Sequence, residues 1–250
     1  MSKNLASAAL AAGILTAAAT HAQDLCPCPK TPPEPAWKAS VGGGLSVTGG
    51  NTNANSYNLS FSVTHDPRLR NIFKAEGLYL RTDQDGQATA DKSSASLRDE
   101  YKFGRAYLFG QLAYLRDPLK DLDYLLSPAL GAGYRLLERK SLLLTADASL
   151  GAAVERLSGR EATSDLALTA AQRLDWQASP SVKLSERASG LWKTNDFADA
   201  YYHFEASLTA AVVKRLELKL AFVDDFKNKP ASPSLKKNDT ALIVALVFKT

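Results

Sequence analysis

Apolar and polar side chains alternate with a period of two along most of the chain, and this alternation constrains the fold more than any other feature. In residues 37–48, WKASVGGGLSVT, the odd positions carry Trp, Ala, Val, Gly, Leu and Val, and the even positions carry Lys, Ser, Gly, Gly, Ser and Thr. Successive side chains of a strand point to opposite faces, so the segment predicts a ribbon with one apolar and one polar face. A helical period would mix the two sets.

The same pattern recurs often enough to predict an all-β chain. The twelve candidate strands are 37–48, 56–65, 71–81, 93–103, 106–116, 123–137, 142–157, 165–177, 182–193, 201–213, 216–226 and 239–248. Most of them match or exceed the nine to eleven residues of a tilted membrane strand, whereas strands of globular proteins average about five or six residues. This length favours strands that cross a bilayer.

The connections between these strands alternate between long and short. Those after odd-numbered strands are GGNTNAN, TDQDGQATADK, DPLKD, SGREATS, TNDFADA and KNKPASPSLKKN, and those after even-numbered strands are DPRLR, GR, ERKS, SPS and KR. Outer-membrane barrels have longer loops outside and short turns in the periplasm, and an even strand number returns both termini to the periplasm. The pattern is therefore typical of a transmembrane, antiparallel, up-and-down β-barrel of twelve strands.

The composition of the two faces supports a barrel over a soluble sandwich. The polar faces are dominated by Ser, Thr, Gly and Ala, which suit a crowded lumen, and aromatic residues lie mostly near strand ends on the apolar faces. The alternation is least regular in 106–137, where it predicts that Leu108, Leu112 and Tyr114 face inward. If these two segments are not strands, ten strands remain.

The N-terminal 36 residues indicate export. Residues 1–22 have one cation, Lys3, followed by an apolar run and small residues, a pattern typical of a secretory signal peptide; an uncleaved anchor is the alternative. Residues 23–36 hold five of the eleven prolines and both cysteines, Cys26 and Cys28, and predict an extended periplasmic tail. Residues 37–250 form the predicted barrel, and its predicted location is the bacterial outer membrane.

Charge and composition exclude several other classes. Thirty basic residues against twenty-six acidic ones, a formal net charge of +4, are too balanced to indicate a nucleic-acid partner. No stretch of the mature chain approaches 18 apolar residues, so no helical membrane span is predicted. The loop TDQDGQATAD lacks the closing Glu and the spacing of a calcium loop, so neither a metal nor another cofactor is expected.

Three segments carry a resemblance to a known family. WKASVGGGLSVTGGNTNANSYNLSF, SPALGAGYRLL and KPASPSLKKNDTALIVALVF resemble the salt-induced outer-membrane protein family. The resemblance implies an exported barrel of unknown activity, a role in salt or osmotic stress, and assembly by the barrel-assembly machinery. The C-terminus departs from the usual pattern of outer-membrane barrels, which end on an aromatic residue, because here Phe248 is followed by Lys249 and Thr250.

The polar faces also project charged side chains into the predicted lumen, and these are the candidate site residues. They are Lys38, Lys74, Glu76, Arg135, Asp147, Glu155, Arg173, Asp175, Lys183, Arg187, His203, Glu205, Glu217 and Lys219. Bases and acids are nearly matched, which favours a salt-bridged plug, because unpaired charges inside a barrel would be costly. The alternative is a narrow channel in which these charges orient small polar solutes or ions.

Two further expectations concern catalysis and partners. His203, Glu205 and Ser207 share one face, which leaves a membrane-embedded hydrolase as a minor alternative, but the serine has no flanking motif and no catalytic residue is assigned. The lysines of the last loop could meet lipopolysaccharide phosphates. The predicted function is thus a structural or stress-related envelope barrel, not an enzyme, with outer-membrane lipid and lipopolysaccharide as partners.

Overall fold

Twelve antiparallel strands close into one barrel in the computed structural model, which describes residues 35–48, 54–232 and 235–250. Each strand pairs with its neighbours in sequence, and β12 pairs with β1. The strands are β1 Trp37–Thr48, β2 Ala54–His65, β3 Asn71–Gln84, β4 Gln87–Phe103, β5 Ala106–Asp117, β6 Leu122–Arg139, β7 Leu142–Leu157, β8 Thr163–Ser179, β9 Val182–Lys193, β10 Asp196–Val213, β11 Leu216–Lys227 and β12 Asn238–Lys249. A short 3₁₀ turn, Pro118–Lys120, lies between β5 and β6.

The predicted fold class and the twelve strands are confirmed, so the ten-strand alternative is wrong. The predicted signal peptide, the two cysteines and most of the predicted proline-rich tail lie outside the described residues. We call the end of the barrel that carries Trp37 and Lys249 the terminal end, and the opposite end the loop end.

Two predicted loops belong instead to strands. Most of TDQDGQATADK continues β3 and β4, which are joined at Asp85 and Gly86 with φ of 49° and 80°. Positive φ at both positions is what a tight hairpin turn requires. Most of TNDFADA likewise belongs to β10. The polar ends of these strands lack the apolar alternation because they extend past the apolar band. The ends of β3 and β4 remain paired, and β10 is paired at Asp196 and again from Ala200, with an irregularity between.

The apolar faces point outward. Leu130 is 74% exposed, and Leu45, Leu59, Leu166 and Val244 are also exposed, which is the reverse of a soluble protein's arrangement. Backbone groups in hydrocarbon must all be hydrogen-bonded, and a closed sheet meets this requirement with strands. The structure is therefore a transmembrane barrel of the kind found in the bacterial outer membrane.

The predicted orientation of β5 is wrong. Leu108 and Leu112 are exposed on the outside, and Tyr114 shares their face, whereas Tyr107 and Phe109 are buried on the inside. The reason is a cation: the Arg98 guanidinium lies 3.5 Å from the centre of the Phe109 ring, so the inward aromatic rings hold a lumenal charge.

None of the described helices is both long and apolar enough to cross a membrane. Most neighbouring strands pair over nearly their full lengths, but the β1–β12 ladder joins only Ser40–Gly43 with Leu246–Lys249. This seam is closed at the terminal end and lacks ladder pairs toward the loop end.

We predict that Leu130→Arg will lower the free energy of unfolding by about 2–4 kcal/mol in lipid vesicles, since Leu130 lies halfway along β6 on the outer face. The matched control is Leu69→Arg, because Leu69 is 72% exposed but lies in the turn between β2 and β3. Its effect should stay within about 0.5 kcal/mol. Denaturant titration measures both, and equal effects would contradict a lipid-facing position for Leu130.

Candidate functional site in the barrel lumen

A salt bridge spans the lumen between opposite walls. Glu76 lies on β3 and Arg187 on β9, which are six strands apart in either direction around the ring. Arg187 Nη1 and Nη2 donate to the two carboxylate oxygens of Glu76 at 2.5 and 2.9 Å. This bidentate geometry is the strong form of an arginine–carboxylate pair, so it ties the two walls together.

A second network surrounds Arg98 on β4. Its guanidinium donates to Glu100 at 2.8 Å and to Asp147 on β7 at 2.7 Å. Lys74 donates to Glu100 at 2.7 Å, and the Tyr107 hydroxyl donates to Asp147 at 3.1 Å. Each carboxylate here thus has a cationic partner.

The remaining predicted residues near the terminal end form smaller pairs. Asp175 accepts from Arg173 at 2.7 Å and contacts Lys183 at 2.8 Å. The other pairs are Lys219 with Glu205, Lys249 with Glu217, and Arg135 with Glu138. Lys38 lies on the inward face of β1, whereas its neighbour Trp37 is exposed on the outward face.

The loop end holds a more deeply buried set of charges. Glu155 on β7 accepts from Lys193 on β9 at 2.7 Å and from Lys227 on β11. Lys193 also contacts Asp199 at 2.8 Å. Because Glu155, Lys193 and Lys227 come from non-neighbouring strands, they tie the walls together across the barrel.

A second group of contacts at the loop end surrounds Asp225 on β11. It accepts hydrogen bonds from the Tyr201 hydroxyl at 2.7 Å and from Lys92 on β4, and its carboxylate lies 2.8 Å from His203 Nδ1. Lys120, from the turn between β5 and β6, is folded inward; it donates to the Asp225 carbonyl at 3.3 Å and pairs with Asp239 at 3.0 Å. We refer to the groups around Glu155 and Asp225 as the loop-end tier.

The two ends of the lumen differ in how far water reaches. The side chains of Glu155 and Asp225 are 5% and 6% exposed, whereas those of Lys183 and Arg187 are 42% and 35% exposed. An apolar cluster of Leu115, Leu122, Leu125, Ala153 and Ala167 packs beside the loop-end tier. Water therefore reaches Lys183 and Arg187 more than it reaches the carboxylates of the loop-end tier.

A cavity of about 150 Å³ lies within the barrel. Its lining mixes polar and apolar groups from β5, β6, β8, β9 and β10, including Gln111, Ser127, Thr169, Leu125 and Tyr201. A space of this size with several hydroxyl and amide groups can hold a few water molecules or a small polar solute.

The described residues do not assemble a hydrolase at His203. Its ring contacts Asp225, while Ser207 lies four residues further along β10, roughly 13 Å away at the rise of a strand. No cluster of metal-ligating residues occurs in the part of the chain that the structure describes. The site is therefore a set of ion pairs around a small cavity.

Sequence reasoning missed several lumenal residues. They are Lys92, Arg98, Glu100, Lys120, Lys193, Asp225 and Lys227. The sequence hides Lys92 because the start of its strand has the polar composition of a loop, whereas Arg98 and Glu100 follow the period of two and could have been found from it. No local pattern predicts that Lys120 folds inward from a turn.

Comparison with family models identifies the chain's family. Residues 41–249 match the family described as "Protein of unknown function, DUF481". The chain belongs to this family. The description names neither an activity nor a response to salt, so the salt-induced part of the resemblance stays a prediction. No curated protein matches the chain.

Solved structures with similar folds are outer-membrane proteins. The KdgM porin is 8% identical, with a TM-score of 0.47 over 85% of this chain and 98% of that one. An outer-membrane channel from Pseudomonas putida F1 is 14% identical, with a TM-score of 0.48 over 86% and 95%. The translocator domain of the autotransporter NalP from Neisseria meningitidis is 12% identical, with a TM-score of 0.44 over 86% and 88%. At these low similarities, none of them indicates what this family member does.

Removing the charge of Glu76 tests the bridge across the lumen. We expect Glu76→Gln to lower the free energy of unfolding by about 1–3 kcal/mol, because the Arg187 guanidinium loses its charged partner. The double variant Glu76→Gln/Arg187→Gln should cost less than the sum of the single variants, with a coupling of at least about 0.5 kcal/mol. Denaturant unfolding in vesicles measures all three variants.

Glu138→Gln serves as the control, since Glu138 pairs with Arg135 at 2.8 Å but is 47% exposed. Its cost should stay below about 1 kcal/mol. Strict additivity at Glu76 and Arg187 would contradict a direct bridge.

Proposed function

We propose that this protein is a structural barrel of the bacterial envelope, with a role in stress, whose lumen is closed at the loop end. The observation that carries the proposal is the loop-end tier, in which Glu155 and Asp225 each bind cations from non-neighbouring strands. Ions or solutes crossing the barrel would have to part these contacts.

The energetics of buried charge favour a closed resting state. Removing one partner from a buried ion pair leaves an uncompensated charge and costs several kcal/mol. Glu155 binds two lysines, and Asp225 binds Lys92, Tyr201 and His203, so opening would disturb several contacts at once. Lys120, carried by the turn between β5 and β6, adds one more contact across the lumen, to the Asp225 carbonyl.

The proposal places the terminal end in the periplasm, as is usual for barrels with an even strand number. The signal peptide of residues 1–22 would direct export, and residues 23–36 would form a periplasmic tail. Outer-membrane lipid and lipopolysaccharide would surround the barrel, and the barrel-assembly machinery would insert it. No nucleic-acid partner and no cofactor are part of the proposal.

A narrow channel for small polar solutes or ions is the second candidate. The cavity of about 150 Å³ and the partly exposed side chains of Arg187 and Lys183 favour it, because water already reaches the terminal half of the lumen. The two candidates differ in whether the loop-end tier opens.

Planar-bilayer recording separates the candidates. We expect the refolded wild-type protein to insert without conductance steps, since the loop-end tier closes the lumen. The double variant Glu155→Ala/Asp225→Ala should produce stepwise currents, because it removes both carboxylates that hold the tier. Heat-modifiable migration on gels verifies that each variant has folded.

The matched control is Asp175→Ala/Glu217→Ala, which removes two inward carboxylates near the terminal end. It should stay silent. Ion-selective steps from the wild-type protein would overturn the closed barrel and favour the channel.

A further inference from the structure

The β1–β12 seam is incomplete toward the loop end. Its ladder stops at Gly43 and Leu246, although β1 continues to Thr48 and β12 begins at Asn238. The backbone edges beyond these residues have no ladder partner in the other strand. The two strands still touch just beyond the ladder, where the Val244 carbonyl lies against Gly44, so the seam is unpaired there and not open. Within hydrocarbon such an unpaired stretch is the weakest part of a barrel wall, because unpaired backbone groups are costly there.

A side chain bridges the seam where the ladder stops. Asn58 on β2 donates from Nδ2 to the Val244 carbonyl at 3.4 Å, passing β1 at Gly44, its ladder partner. A Cβ at Gly44 would overlap the Val244 carbonyl oxygen, so the glycine is needed for this close approach. The 3.4 Å distance is long for an N–H···O hydrogen bond, so this contact, the Asn58–Val244 clasp, is weak. Asn58 Oδ1 is buried without a hydrogen-bond partner among the described residues.

Part of the lumen wall near the seam is apolar, beside the inward-facing Asn58 and Ser60 of β2. Ala221, Val223 and Ile243 form a buried cluster, against which Leu78 and Ala241 pack. They face inward on β11, β12 and β3, whereas the inward faces of β8 and β9 carry Thr169 and Ser189 beside the cavity. An apolar inner surface therefore lies beside the unpaired stretch of the seam.

We propose that the loop-end half of the β1–β12 seam is a lateral portal through which an acyl chain of a bilayer phospholipid reaches this apolar inner surface. The outer rim of the seam is continuous with the lipid-facing surface, since Leu45 is 75% exposed and Leu242 69% exposed. Residues 241–248 of β12, ALIVALVF, contain no charge, so the rim favours hydrocarbon over polar solutes. Entry requires parting of the Asn58–Val244 clasp and leaves the loop-end tier closed.

Photolabelling from the bilayer tests the portal. The Cys26→Ser/Cys28→Ser protein is placed in phosphatidylethanolamine vesicles that contain a phosphatidylcholine with a diazirine in the middle of its acyl chain. Irradiation and mass spectrometry should place adducts on inward-facing Leu78, Val223 or Ile243 as well as on outward-facing Leu130. Adducts confined to outward-facing residues would overturn the portal.

A disulfide across the unpaired stretch of the seam makes the test specific. Continuing the register of Gly43 with Leu246 sets Leu45 opposite Val244, so Leu45→Cys/Val244→Cys in the same background should lock the seam when oxidised. Inward adducts should then be lost and should return on reduction, while the Leu130 adduct is unchanged.

The control disulfide is Val41→Cys/Phe248→Cys, which joins two outward positions inside the existing ladder. It should leave the inward adducts unchanged. Inward adducts that persist in the oxidised Leu45→Cys/Val244→Cys protein would show entry elsewhere and would overturn the proposal.

Discussion

The requirement that every backbone N–H and C=O be hydrogen-bonded in hydrocarbon determines the rest of this structure. Strands can meet it only by closing into a ring, and twelve of them do so here. Closure sets one face of each strand against lipid and encloses the other. The alternation of apolar and polar residues follows directly from this division.

Closure of the ring also determines how the inward-facing charged side chains are paired. A carboxylate or a cation inside the ring has little bulk water, so its partner must come from another lumenal side chain. Pairs such as Glu76 with Arg187 and Lys227 with Glu155 therefore cross the barrel and brace its walls. The same contacts that satisfy buried charge also join separate walls of the lumen, so charge pairing contributes directly to the stability of the barrel.

Much of the fold follows from the sequence because a period of two is a local property. It predicted β1, β7 and β9 with the observed bounds. It failed at Gln87, where β4 begins in a polar segment, and at Leu108, where inward aromatic rings hold a cation. The error at Leu108 reflects contacts with another strand, whereas the error at Gln87 reflects a paired strand end whose polar composition resembles that of a loop.

The site was less predictable than the fold. The period of two identifies which charges face inward, but the partner of each charge depends on the register around the whole ring. The pairing of Arg187 with Glu76, 111 residues away, is one such case. The inward turn at Lys120 and the short β1–β12 ladder likewise arise from how the ring closes.

The most direct test of a closed transmembrane barrel is backbone hydrogen exchange of the protein in lipid vesicles and in detergent-free buffer. The account predicts slow exchange across all twelve strands in vesicles, weakest at the loop-end part of β1 and β12, and no stable monomer in buffer. A freely soluble monomer with the same protected strands and no affinity for vesicles would contradict it.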